Sequence, residues 1–130
     1  MKLLSFAAVL TLLSAPAFAN CYQGPFDAFF KDFSADIALQ EAVTADKVKV
    51  SLLGDDPELH SIDQNIPRED LLWPLVPNLT QFERSGGSVR YEERPEGQAV
   101  TLSGDSGYLM TLIFTAAPCW KLVSIIDESM

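Results

Sequence analysis

The sequence predicts an α+β fold in which N-terminal helices pack on a curved antiparallel β-sheet. Apolar residues between positions 26 and 43 recur at the spacing of a helix. Residues 88–126 instead alternate between apolar and polar side chains, in four segments joined by short turns. Strands joined by short turns are antiparallel neighbours, and helices followed by a run of strands are typical of the α+β class.

The helical segment carries an aromatic stripe. Phe26, Phe30 and Phe33 are spaced so that they share one helix face. Asp36 then has the position and chemistry of an N-cap, which predicts a second helix running to about Val43. We expect the phenylalanines to form core rather than a ligand cage, because large aromatic side chains dominate protein interiors.

The middle of the chain predicts one strand, one loop and one short helix. Residues 47–52 alternate at the period of a strand. Residues 54–65 are polar and hold His60, the single histidine, among acids; this suits a solvated loop or a weak calcium site, and we expect the former. Residues 66–73 predict a short helix, with an early proline, acids in the first turn and Pro74 at the end.

The four C-terminal strands are predicted at residues 88–94, 98–103, 108–115 and 119–126. In the third, Tyr108, Met110, Leu112 and Phe114 share one face; in the last, Trp120, Leu122 and Ile126 oppose Lys121, Val123 and Ile125. Both faces of these two strands are largely apolar, so both should be covered. Either the sheet curls round its own core, or helices cover one face and a ligand or a second copy of the chain covers the other.

The first 19 residues have the pattern of a secretory signal peptide. A basic start is followed by an apolar run, Leu3 to Leu13, and by Ala17-Phe18-Ala19, which fits a cleavage site. The run is too short to span a bilayer. We therefore predict one mature domain, residues 20–130, in the periplasm or secreted. The alternative is lipid anchoring at Cys21, which Asn20 and Phe18 disfavour as its preceding residues.

Two cysteines remain in the predicted mature chain, Cys21 and Cys119. An even cysteine count behind a signal peptide favours a disulfide between them. The alternative is two buried or free thiols. Neither cysteine belongs to a C-x-x-C motif or has a histidine near it in the sequence, so we predict no metal site and no redox site.

The charge is strongly acidic. The chain has 18 acidic and 9 basic residues, a formal charge of −9, which becomes −10 when Lys2 leaves with the signal peptide. Such a surface repels nucleic-acid phosphates and anionic lipids, so we expect neither as a partner, and no stable membrane insertion. Arg90, Glu92 and Arg94 alternate on one strand face, which predicts a solvated outer surface with weak ion pairs.

Both ends of the mature chain resemble a known family. The stretches FDAFFKDFSADIALQEAVT and CWKLVSIIDES look like the secreted bacterial family known as domain of unknown function 4348, within the nuclear transport factor 2-like superfamily. The matching residues are Phe30, Phe33, Ser34, Asp36, Gln40, Trp120, Asp127 and Ser129. The resemblance implies helices packed into the concave face of a bent sheet, a cone with a pocket at its open end. That family has no established activity, so no catalytic residue follows from it.

The expected function is non-catalytic binding, either of a small apolar ligand in the cone or of a protein partner, including a second copy, through the sheet. The candidate ligand-binding residues are Trp73, Tyr91, Tyr108, Met110, Phe114 and Trp120. The superfamily also implies an alternative, a ketosteroid isomerase-like enzyme with a buried carboxylate beside a tyrosine or a neutral acid. Asp36, Asp105 and Asp127 are available, but no spacing selects a pair, so we predict no catalytic residue and no cofactor.

Overall fold

The computed structural model describes residues 21–52 and 62–130. The predicted signal peptide, 1–19, and most of the predicted loop, including His60, lie outside these ranges. In the described part, the helices are α1 (Phe26–Ala35), α2 (Ile37–Val43) and α3 (Leu79–Arg84). The strands are β1 (Thr44–Leu52), β2 (Ile62–Pro67), β3 (Ser88–Arg94), β4 (Gly97–Ser103), β5 (Leu109–Thr115) and β6 (Lys121–Asp127).

The strands of the described ranges form one six-stranded sheet in the order β2-β1-β6-β5-β4-β3. The C-terminal strands β3 to β6 form an antiparallel meander, as the short turns predict. The pair β1 and β6 differs from the prediction, because these strands run parallel. They are far apart in the chain, which leaves room for the long crossover that a parallel pair needs. The predicted α+β fold, with helices on a curved sheet, is confirmed.

The core is centred on the aromatic stripe of α1. Phe26, Phe29, Phe30 and Phe33 are all buried. Phe114 of β5 lies among them, with ring centroids 5.2–6.1 Å away and the rings tilted by 63–87°. These near edge-to-face contacts add to the apolar burial. The stripe is therefore core, as predicted, and it defines the inner face of the sheet as the face that carries Phe114.

A β-bulge changes which residues of β6 reach the inner face. Phe114 pairs with Leu122 and Leu112 pairs with Ile125, so one extra residue is accommodated in β6. Simple alternation predicts Leu122 and Ile125 on opposite faces, and this prediction is wrong. The bulge brings both onto the inner face, where both are buried.

The predicted disulfide between Cys21 and Cys119 is present, with Cα atoms 5.2 Å apart. It joins the segment before α1 to the segment before β6. Three hydrogen bonds accompany it: Trp120 N donates to Tyr22 O (3.0 Å), Trp120 Nε1 donates to Gly24 O (2.9 Å) and Gln23 Nε2 donates to Pro118 O (2.9 Å). We call these two segments and their bonds the clasp.

The middle of the chain departs most from the prediction. Residues 66–73 do not form a helix: Ile66 and Pro67 end β2, and only Arg68–Asp70 forms a single 3₁₀ turn. The reason is pairing, because the β2 backbone hydrogen-bonds along β1, and an edge strand tolerates polar residues and a terminal proline. The short helix α3 was not predicted.

Candidate functional site

An apolar pocket of about 390 Å³ lies on the inner face of the sheet, beneath the segment that follows β2. It is lined by Val50, Leu52, Ile66, Asp70, Leu71, Leu72, Pro74, Leu75, Met110, Leu112, Ile125 and Asp127. All but two of these residues are apolar. We call this cavity the sheet–loop pocket.

The floor of the sheet–loop pocket consists of two rows of side chains that cross three strands. In the first row, Ile125 of β6 lies between its partners Val50 and Leu112. In the second row, Asp127 of β6 lies between Leu52 and Met110. Directly paired residues point to the same face of a sheet, so Asp127 projects toward the cavity beside apolar neighbours.

The wall is the loop of residues 71–78, which we call the wall loop. Two buried side chains on the helices hold its backbone. Gln40 of α2 accepts a hydrogen bond through Oε1 from Leu75 N (2.8 Å), and Ser34 of α1 accepts one through Oγ from Leu79 N (3.0 Å). The helices therefore set the position of the wall relative to the floor.

Leu72, at the rim of the pocket, is 87% exposed. Leu52 at the end of β1 is also exposed. Large apolar side chains exposed singly are common on protein surfaces, and these two lie at the rim of an apolar cavity.

The two polar lining residues are carboxylates. Asp127 is half-buried, and its Oδ1 accepts a hydrogen bond from Ser129 N (3.0 Å). Asp70 is exposed at the end of the 3₁₀ turn. Within the described ranges, no group of three or more His, Cys, Asp or Glu side chains could hold a metal ion.

Of the six predicted ligand-binding residues, Met110 lines the sheet–loop pocket. Trp73 is half-buried in the wall loop next to the lining residue Pro74, but does not itself line the cavity. Tyr108 is half-buried against Phe82, with ring centroids 5.7 Å apart. Of these three residues, therefore, Met110 lies in the cavity lining, Trp73 is next to a lining residue in the chain, and Tyr108 lies outside the lining.

The other three predicted residues contact the aromatic stripe of α1, although Tyr91 is itself 40% exposed. Phe114 is 1% exposed. Tyr91 and Trp120 pack edge-on against Phe26, with centroids 5.8 and 4.9 Å away. The structure therefore does not bring Phe114 and Trp120 together with Met110 around one cavity.

Two of the predicted tyrosines, Tyr91 on β3 and Tyr108 just before β5, have raised pKa values. Burial raises the pKa of Tyr108 above 10.0, and the Asp127 carboxylate adds to the effect. Burial also raises the pKa of Tyr91, with smaller contributions from Glu83 and Asp27. Both phenols therefore stay neutral at physiological pH.

Sequence reasoning missed most of the lining because it comes from three separate regions. The predicted helix, residues 66–73, contains two lining residues, Ile66 and Leu71. Two more, Pro74 and Leu75, come directly after it. The apolar, proline-punctuated sequence LLWPLVP is typical of a loop that caps a pocket or meets a partner, and the prediction of Trp73 rests on it. Ile125 was predicted on the wrong face because the bulge in β6 leaves no clear mark in the sequence.

A larger depression, of about 670 Å³, flanks the turn between β3 and β4 and includes Trp120. Its lining is mainly charged, polar or small, with Glu93, Arg94, Glu96 and Gln98 among its members. Ligand sites are enclosed mainly by apolar side chains that leave a few polar groups to orient the ligand. The sheet–loop pocket fits that description better, although it is smaller.

Comparison with known proteins gives evidence at the level of fold. In sequence, no family model and no curated protein matches the chain, so the resemblance to domain of unknown function 4348 is not confirmed. In structure, the chain is similar to a crystal structure of an ntf2-like (nuclear transport factor 2-like) protein from Bacteroides fragilis NCTC 9343. The TM-score is 0.56 at 15% identity, over 83% of this chain and 48% of that chain.

The chain thus spans about half the length of that structure. A second solved structure, from work on de novo design of proteins with diverse pocket structures, aligns with a TM-score of 0.40 at 14% identity, over 81% of this chain and 95% of that one. The first likeness, together with helices packed on the inner face of a curved sheet, shows that the chain has the nuclear transport factor 2-like fold.

Proposed function

We propose that this protein binds a small apolar ligand, without catalysis, in the sheet–loop pocket. The observation that carries the proposal is the lining: every residue around the cavity except Asp70 and Asp127 is apolar. A cavity of about 390 Å³ lies within the range of small-molecule sites, which are concave and mainly apolar with few polar groups.

The walls of the pocket are fixed on two sides before any ligand arrives. The floor consists of paired strands. The wall loop is hydrogen-bonded to Gln40, and Leu79, the residue that follows it, is hydrogen-bonded to Ser34. A site that is already formed loses little conformational entropy on binding, which favours affinity for even a small ligand.

The alternative, an isomerase-like enzyme, receives less support. Such an enzyme needs a buried carboxylate beside a tyrosine or a neutral acid. No carboxylate of the described residues is buried, and the two in the sheet–loop pocket are half-buried and exposed. Binding without catalysis requires no such group.

We also propose that the protein works in the periplasm or outside the cell, with residues 1–19 removed. The Cys21–Cys119 disulfide supports this, since disulfides persist in oxidising compartments. The signal-peptide pattern supports it independently. No helix in residues 21–52 and 62–130 is long and apolar enough to cross a membrane.

The binding proposal is tested by calorimetric titration of the purified protein with octanol, an uncharged aliphatic probe. We expect saturable binding. Met110→Trp should abolish it, because the larger ring occupies the cavity from its floor. Leu109→Trp is the matched control: it adds the same ring on the outer face, one residue away, and should leave binding intact. The proposal fails if octanol does not bind, or if the two variants weaken binding equally.

A further inference from the structure

We propose that the apolar ligand carries a protonated amine and that the Asp127 carboxylate binds this amine. Asp70 is the second carboxylate in the lining of the pocket. The inference rests on the proposed function, since it specifies the chemical class of ligand for the same pocket. It comes from the charges that surround the sheet–loop pocket.

The charged groups lining the cavity have one sign. Asp70 and Asp127 are both acidic, and no Lys or Arg of the described residues lines the pocket. Neither carboxylate lies in an ion pair with a side chain in those ranges. Among the described residues, no fixed cation offsets the negative charge at the site.

The cations on the neighbouring elements are directed elsewhere. Lys47 and Lys49 of β1 alternate with the inward-facing Val48 and Val50, and Lys49 pairs with Asp63 on the outer face (3.6 Å). Arg68, which precedes Asp70 in the 3₁₀ turn, points to β1 instead.

Two contacts hold Arg68 in that direction. Its Nη1 donates to Thr44 O (3.0 Å) and its Nη2 lies 3.5 Å from Asp46 Oδ1. Its guanidinium is therefore committed to the start of β1 rather than to the carboxylate two residues along.

Asp127 has the geometry of a receptor for a positively charged head group. Its row places it between Leu52 and Met110, so an aliphatic chain on the floor would end beside it. Ser129 N occupies Oδ1, which fixes the carboxylate, and Oδ2 makes no hydrogen bond to a described residue. Hydrogen bonds with an ionised donor or acceptor are about twice as strong as neutral ones, and an ammonium facing a carboxylate adds a direct charge attraction.

The same arrangement disfavours other head groups. A carboxylate or phosphate on the ligand would face two carboxylates across a partly apolar site, where like charges repel more strongly than in water. A neutral alcohol could donate one hydrogen bond to Asp127 but would gain no charge attraction. The order of affinity is therefore amine, then alcohol, then acid.

The experiment compares octylamine, octanol and octanoate by calorimetry at neutral pH and moderate salt. We expect octylamine to bind about tenfold more tightly than octanol, because its ammonium adds a charge attraction to a hydrogen bond that both probes can donate, and octanoate to bind weakest. Asp127→Asn keeps an oxygen for Ser129 N but removes the charge. It should erase most of the tenfold preference, because octylamine loses its charge attraction whereas octanol loses only part of one hydrogen bond.

Two further variants complete the design. Asp70→Asn should reduce the amine preference by a smaller factor, because Asp70 is exposed. Glu41→Gln removes one negative charge from the exposed face of α2, outside the pocket, and controls for net charge. It should not alter the preference.

The outcomes separate this inference from the proposed function. If the three probes bind equally, if octanoate binds best, or if Asp127→Asn leaves the amine preference intact, the amine inference is overturned and the apolar pocket stands. If no octyl compound binds the wild-type protein, the proposed function itself is overturned and the inference falls with it.

Discussion

At the scale of single residues, buried polar side chains position the pocket wall. Ser34 and Gln40 lie on different helices, and each accepts a hydrogen bond from a backbone N–H in or just after the wall loop. Buried polar groups are retained where they satisfy a donor that would otherwise be stranded.

Other residues that carry the sequence resemblance also act locally. Asp36 caps α2, Trp120 Nε1 bonds to Gly24 O, and Ser129 Oγ accepts a hydrogen bond from Leu109 N (2.9 Å). Each of these three side chains forms a hydrogen bond with a backbone group.

The contact at Ser34 gives a prediction for stability. Ser34→Ala leaves Leu79 N without its partner at a buried site, which should lower the free energy of unfolding by about 1–3 kcal/mol. Urea denaturation measures the change. Ser103→Ala, an exposed position on β4, is the control and should change stability by less than about 0.5 kcal/mol. Equal effects from the two variants would contradict the assigned role of Ser34.

At the scale of elements, the periodicity of apolar residues predicts regular helices and strands, but it does not predict a strand that forms only because it pairs with a neighbour. The Phe stripe of α1 and the strands β3, β4 and β5 follow their periods closely, whereas the bulge breaks the alternation of β6. Residues 62–67 carry no such pattern, and their strand conformation comes from the edge of β1. Tertiary hydrogen bonds here outweigh a local preference for helix.

The short helix α3 had a signal that was overlooked. Asn78 precedes Gln81 by three residues, which is the spacing of a capping box, and its side chain accepts a hydrogen bond from Gln81 N (3.1 Å). The helix is only six residues long, so its periodicity is too brief to stand out. A search for caps rather than for periods would have found it.

The N-cap of α2 gives a prediction at this scale. Asp36 Oδ1 accepts hydrogen bonds from Ala38 N (2.9 Å) and Leu39 N (3.3 Å). Asp36→Ala should therefore cost about 1 kcal/mol of stability. Because α2 carries Gln40, amide hydrogen exchange at Leu75 should also accelerate. Glu41→Ala, an exposed change in the same helix, is the control; accelerated exchange in that variant as well would contradict the role of the cap.

At the scale of the whole molecule, the clasp joins two distant parts of the chain. Cys21 and Cys119 are 98 positions apart, so the disulfide closes a loop that contains nearly all of the described residues. Cross-links over long loops stabilise mainly by restricting the unfolded chain. The neighbouring hydrogen bonds from Trp120 and Gln23 keep the same segments together in the folded state.

Removing the disulfide should therefore lower the free energy of unfolding by up to about 4.7 kcal/mol, the chain-entropy value for a loop of this length. The double variant Cys21→Ser/Cys119→Ser and the reduced wild-type protein should unfold at the same urea concentration, below that of the oxidised protein. A double variant that unfolds together with the oxidised protein would show that the disulfide contributes nothing to stability.

The fold was predictable from the sequence to a greater extent than the site. Helical and strand periods, short turns and cysteine parity are local or compositional signals, and they led to the α+β class and to the disulfide. The sheet–loop pocket depends on contacts between segments that are distant in the sequence, on a bulge in β6 and on the parallel pairing of β1 with β6. Met110 was identified because its strand alternates regularly, whereas the wall loop has no regular period.

The most direct test of the central claim, an apolar ligand site on the inner face, is a methyl NMR titration of the wild-type protein with octanol. We predict saturable shifts at the methyl groups of Val50, Leu112 and Ile125, which form one row of the pocket floor. Ile113 and Ile126, on the outer face, should stay unchanged. Shifts confined to the outer face, or no saturable shift at any methyl group, would contradict the account.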